Sequence, residues 1–165
     1  MKQGFLYKTI LDILFIALCA GGIGLFFNIP HMISLIKMEQ SFAQDWSFLA
    51  WAYLIFKIGS WFVFLLGIYQ LKKGARPLLN NQFFSQNVFK RLKKSGVLLI
   101  WSSVLNFMGI GIYFFQIYEQ QISDYTQEED ILFPLFTLTI GIFFMIQSNA
   151  LKIASGLKSE NDLTI

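Results

Sequence analysis

SFLAWAYLIFKIGSWFVFLLGIYQL, residues 47–71, carries a single charge, Lys57, in a run long enough to cross a bilayer. A hydrocarbon core of about 30 Å takes roughly 20 apolar residues as a helix. Three further stretches match it: about 10–29, 97–118 and 131–154. They are apolar all round rather than alternating, which argues against a membrane β-barrel. Helices are expected, because every backbone N–H and C=O must be paired inside lipid. Composition agrees. The chain of 165 residues is 55% hydrophobic and 14% charged, against about 25% charge in a soluble domain. The expected fold is all-α, a single integral membrane domain forming a four-helix bundle.

Working outward from the spans, the charges predict orientation. Lys2 and Lys8 precede the first stretch, and Lys72, Lys73, Arg76, Lys90, Arg91, Lys93 and Lys94 lie in the loop 72–96. With Lys152 and Lys158, eleven of the thirteen Lys and Arg fall on one side. The other side has Lys37 and the segment Glu119 to Asp130, with five acids and no base. The positive-inside rule then puts both termini and the loop 72–96 in the cytoplasm. Trp46, Trp51, Tyr7, Tyr69 and Tyr118 stand near span ends, as interfacial aromatics do. Pro30 is expected to end the first span, with an interfacial segment running to about Trp46.

Targeting and disulfide readings fall away. No small-x-small cleavage site follows the first apolar run, and Leu18 spoils the resemblance of residues 16–19 to a lipoprotein signal. Cys19, the only cysteine, reads as an ordinary buried thiol.

Ionisable groups within a span are functional candidates by default. Asp12 is expected in the basic-side half of span one, level with Gln147 and Asn149 of span four, whose amides can hydrogen-bond a carboxylate. Lys57 is expected near the midplane, level with Asn106. These groups fit either of two readings, polar contacts that hold the bundle together or an ion-coupled pathway. Ala17 with Gly21, and Ala20 with Gly24, are small pairs four apart; they suit packing within the bundle and a homo-oligomer seam equally.

The loop 72–96 has a pattern of its own. Ser85 is a candidate cap for a short amphipathic helix with Val88, Phe89 and Leu92 on one face and Lys90, Arg91, Lys93 and Lys94 around the rest. Such a segment suits anionic lipid or a cytoplasmic partner. The patch is too short to expect direct nucleic-acid binding. In the tail 155–165, Leu163 and Ile165 follow Glu160 and Asp162; this reads as a frayed end or as a plug for a groove.

The run Phe84 to Lys94 before an apolar span, together with the tail Leu157 to Ile165, resembles a bacterial membrane family, domain-of-unknown-function family 2975. Members are similar in length with four spans, so the resemblance extends over the whole chain. Ser95 departs from it, standing where a larger apolar residue is expected. The resemblance implies a location in the bacterial inner membrane and no known enzyme activity. It also implies a frequent genomic neighbour, a small helix-turn-helix regulator, which is association rather than mechanism. The first expectation is therefore a non-enzymatic interaction or sensing protein that holds such a regulator. The alternative is a small ion- or proton-coupled transporter using Asp12 and Lys57. An intramembrane enzyme is least expected: no acid or thiol is spaced to join His31, the only histidine, so no catalytic residue, metal site or cofactor is expected. The acids Glu128, Glu129 and Asp130 read as a solvated loop.

Overall fold

A computed structural model describes residues 8–24, 27, 47–75, 77, 86–120 and 128–162, and these are helical. Helix α1 covers residues 8–24. It is followed by α2, Ser47–Ala75, α3, Gln86–Gln120, and α4, Glu128–Asp162. Within the last three, Trp51–Ala75, Gln86–Ile112 and Ile131–Asn161 are long and apolar enough to cross a membrane. Pro30, His31, Trp46, Ser85, Leu163 and Ile165 lie outside the described residues.

Two expectations change. The basic segment is not a separate short helix between spans. It forms the first turns of α3, which runs unbroken through the expected third span. Nothing from Gln86 onward breaks a helix, since the segment lacks proline and Lys, Arg and Leu all favour helix. The tail is likewise helical as far as Asp162, a continuation of α4 rather than a frayed end.

The helices pack in chain order, each antiparallel to the last. Phe15 meets Tyr69 and Gly22 meets Trp61 across α1 and α2. Ser60 meets Ser102, and Ser95 meets Gly67, across α2 and α3. Ser103 meets Pro134, and Ser148 meets Phe89, across α3 and α4. In each pair of helices one number rises as the other falls.

The contact residues are small and recur every seven positions, the spacing of shallow left-handed crossings. On α2 the face toward α3 carries Ser60, Gly67 and Gly74. On α3 the matching face carries Ser95, Ser102 and Gly109. One residue further on, Gly96 and Ser103 face α4, where Gly141, Pro134 and Ser148 answer them. A step of one residue turns a helix by about 100°. The two seams therefore lie on adjacent sides of α3, and α4 folds back toward α2. The rings of Phe64 and Phe133, 5.7 Å apart, close that angle.

The closest backbone-to-backbone approach is that of Gly96 to Gly141. A Cβ on Gly96 would stand 2.7 Å from the Gly141 carbonyl oxygen, and one on Gly141 would stand 2.9 Å from that of Gly96. On α1 the residue that does this is Gly22, buried under the Trp61 indole, while Ala17, Ala20, Gly21 and Gly24 of the small pairs are exposed. Serine hydroxyls lock the seams by donating to carbonyls of the neighbouring helix. Ser60 and Ser102 do so reciprocally, at 3.0 and 2.9 Å. Ser95 reaches Gly67 O at 2.8 Å, Ser103 reaches Pro134 O at 2.7 Å and Ser148 reaches Phe89 O at 2.7 Å. Pro134 has no N–H to give its helix, yet it is buried, and Thr137 donates to the adjoining Phe133 carbonyl at 2.9 Å.

Adding one methyl at the closest approach is expected to separate α3 from α4. Gly96→Ala or Gly141→Ala should lower stability by about 1–3 kcal/mol. Gly111→Ala, with nothing within 4 Å of the new carbon, should be neutral or up to about 1 kcal/mol stabilising. Unfolding in detergent, followed by helical circular dichroism, separates the two outcomes.

Candidate functional site

Three polar assemblies stand out against this apolar background. The first is at the basic end. Lys72 Nζ lies 3.1 Å from Asp12 Oδ1 and 4.9 Å over the Phe15 ring. The approach is oblique: Asp12 Oδ1 is shielded from solvent but makes no hydrogen bond among the described residues. Charge rather than a directed hydrogen bond holds this pair. Next to it, Arg91 Nη1 donates to Gln70 Oε1 at 3.3 Å, and Lys73 Nζ sits 5.0 Å over the Tyr69 ring.

The helix registers place Asp12, Lys72, Arg91 and Gln147 at one level. Gln147 and Asn149 do stand near the depth of Asp12, as the sequence suggests, but both are exposed, and the carboxylate pairs with Lys72 instead. The reason is geometric: α1 packs on the face of α2 that carries Trp61 and Lys72, and an ammonium at 3.1 Å outcompetes an amide. Lys72 and Trp51 are about 31 Å apart along α2, close to the thickness of a hydrocarbon core. Asp12 therefore lies at the boundary of the apolar zone rather than deep within it.

The second assembly is at mid-depth. Ser60 and Ser102 each donate to the other's carbonyl, which leaves the Ser60 oxygen as an acceptor. Asn106 turns its Nδ2 toward that oxygen at 3.4 Å. Its Oδ1 is then buried without a partner among the described residues. Lys57 is level with Asn106, as expected, but its ammonium lies 5.6 Å over the Tyr53 ring, toward the end of α2 away from the basic level. Lys57 and Lys72 are about 22 Å apart along the helix, so Asp12 and Lys57 form no common site.

The third assembly is the basic start of α3. Lys90, Lys93 and Lys94 are exposed, whereas Arg91 is half-buried against Gln70. Sequence reasoning singled out all four but treated them alike; only the register of α3 on α2 separates them. It missed Ser60, Ser102, Ser103 and Ser148, and took Ser95 only as a departure from the family pattern. The spacing of seven shared by Ser95 with Ser102, and by Gly96 with Ser103, was the available signal.

Among the described residues, no three His, Cys, Asp or Glu stand close enough to hold a metal ion. Helices with small, hydroxyl-bearing interiors and large apolar exteriors define a helical membrane protein. The chain belongs to the family described as "Protein of unknown function (DUF2975)", whose model matches residues 34–165. That match takes in α2, α3 and α4 and leaves α1 outside it, so it covers less of the chain than the resemblance suggested. No curated protein and no solved structure matches the chain.

If the Asp12–Lys72 pair holds α1 to α2, Lys72→Met should destabilise by about 1 kcal/mol, leaving the carboxylate unpaired. Asp12→Asn combined with Lys72→Met should recover part of that loss. A double-mutant cycle in detergent or nanodiscs measures the coupling, and strictly additive losses would contradict a direct pair.

Proposed function

We propose that the chain is a bacterial inner-membrane protein with four spans and both termini in the cytoplasm. In this reading it acts without catalysis, by holding a cytoplasmic partner at its basic end. The observation that carries the reading is the length of α4. By the register of Ser148 on Phe89, residues 152–162 extend about 16 Å beyond the start of α3. This arm is not simply polar. Ile146, Ala150, Ile153 and Leu157 share one helical stripe, and Ile153 and Leu157 remain 66% and 59% exposed. The arm lies past the level of Lys72, where the apolar zone ends. An apolar stripe there favours a partner that removes it from water.

The partner best suited to the family's genomic setting is a small helix-turn-helix regulator, whose own apolar helix faces can meet such a stripe. Among the described residues, nine Lys and Arg stand at this end, which supports the cytoplasmic orientation. A carrier function would rest on Lys57 and Asn106 alone, since Asp12 is engaged with Lys72 at the rim.

Crosslinking and pull-down from native membranes tests the reading. A regulator recovered with the intact protein, and at least tenfold less with Ile153→Asp/Leu157→Asp or with a chain ending at Lys152, is the expected result. Recovery of no regulator, or equal recovery with all versions, would overturn it.

A further inference from the structure

The three exposed lysines at the start of α3 do not point along the helix axis toward the cytoplasmic arm. They lie on its side. Lys90, Lys94, Val97, Trp101, Val104 and Met108 follow one another at alternating steps of four and three, which is one continuous stripe of a helix. The stripe sits about half a turn away from the midpoint of the two seams that face α2 and α4. Its lower part is open: Trp101 is 58% exposed, Val104 37% and Met108 53%. Lys93 flanks its upper end and is also exposed.

Charge is available there. Lys72 is committed to Asp12, and Arg91 to Gln70. Lys90, Lys93 and Lys94 have no ion-pair or hydrogen-bond partner among the described residues. They stand at the level where the apolar zone ends, within about 6 Å along the axis of one another.

We propose that this side of α3 is a binding face for an anionic phospholipid. Lys90 and Lys94, helped by Lys93, hold the headgroup phosphate, and an acyl chain runs along Val97, Trp101, Val104 and Met108. Charge complementarity selects the headgroup, and the apolar stripe directly below selects a lipid over an acidic protein, which would leave that stripe uncovered. Lysine stems suit the position, because their methylenes lie along apolar surface while the ammonium reaches the phosphate layer. The proposal is independent of any partner on the α4 arm: it assigns the basic turns of α3 to lipid and leaves the arm for protein.

Trp101 is a built-in reporter, about 10 Å below Lys94 along the helix. The protein is reconstituted in phosphatidylcholine vesicles holding a minor fraction of either phosphatidylglycerol or phosphatidylcholine brominated mid-chain. The fluorescence due to Trp101 is the difference between the protein and its Trp101→Phe variant. Brominated phosphatidylglycerol is expected to quench it several-fold more than brominated phosphatidylcholine at equal mole fraction. That preference should weaken in Lys90→Gln, vanish in Lys90→Gln/Lys94→Gln, and persist in Lys90→Arg/Lys94→Arg. Lys152→Gln/Lys158→Gln, which removes the same charge from the α4 arm, should leave it unchanged. Equal quenching by the two lipids in the unaltered protein would overturn the proposal and leave the lysines to an acidic protein. A preference that survives Lys90→Gln/Lys94→Gln, or is lost equally in the arm variant, would overturn it as well.

Discussion

Everything in this molecule hangs on how closely α3 approaches its two neighbours. Lipid supplies no hydrophobic drive between helices that are already in an apolar solvent, so association depends on close packing and on polar contacts. α3 meets both needs with the same residues. Gly96 against Gly141 brings two backbones together, and Ser95, Ser102 and Ser103 turn that proximity into bonds to carbonyls across both seams. Each such contact contributes only about 0.6–2 kcal/mol. Their arrangement along two faces of one helix is what fixes the register of α2, α3 and α4, and that register is what brings Arg91 to Gln70.

The same constraint inverts the usual distribution of side chains. Few large apolar residues are buried, Leu99 being the most enclosed, while Ile55, Phe62, Trp101, Phe136 and Phe143 face outward. In water such a surface would drive aggregation; in a bilayer it is the solvated surface. The apolar zone ends on the basic side at the level of Lys72. Beyond that level α4 continues, and Lys90, Lys93 and Lys94 of α3 lie exposed on the side of their helix.

Much of the fold was legible from hydropathy. The starts of α2 and α4 fall close to the apolar boundaries, because an apolar run of about 20 residues has one economical conformation in lipid. Helix ends were harder. No proline interrupts residues 86–96 or 155–162, and α3 and α4 extend well past the apolar runs that reveal them. Partners were harder still. The depth of Asp12 relative to Gln147 could be counted from the rise per residue, but rotation about the helix axis could not, and rotation gave the carboxylate to Lys72. The serine seams were visible in principle: Ser95 and Ser102 stand seven apart, yet hydropathy alone treats them as minor interruptions of an apolar span.

The central claim, that α3 buries its hydroxyl-bearing face against α2 and turns Trp101, Val104 and Met108 outward, is open to one direct measurement. In native membranes, with Cys19→Ser removing the only thiol, cysteines replacing Ser60 and Ser102 stand where two hydroxyl oxygens now lie 3.4 Å apart. Mild oxidation should join them within one chain, detected as a linked peptide by mass spectrometry, whereas cysteines replacing Ser60 and Val104 should remain unjoined. Efficient joining of Ser60 with Val104, and none of Ser60 with Ser102, would mean that α3 presents the other face and that the account of the interior is wrong.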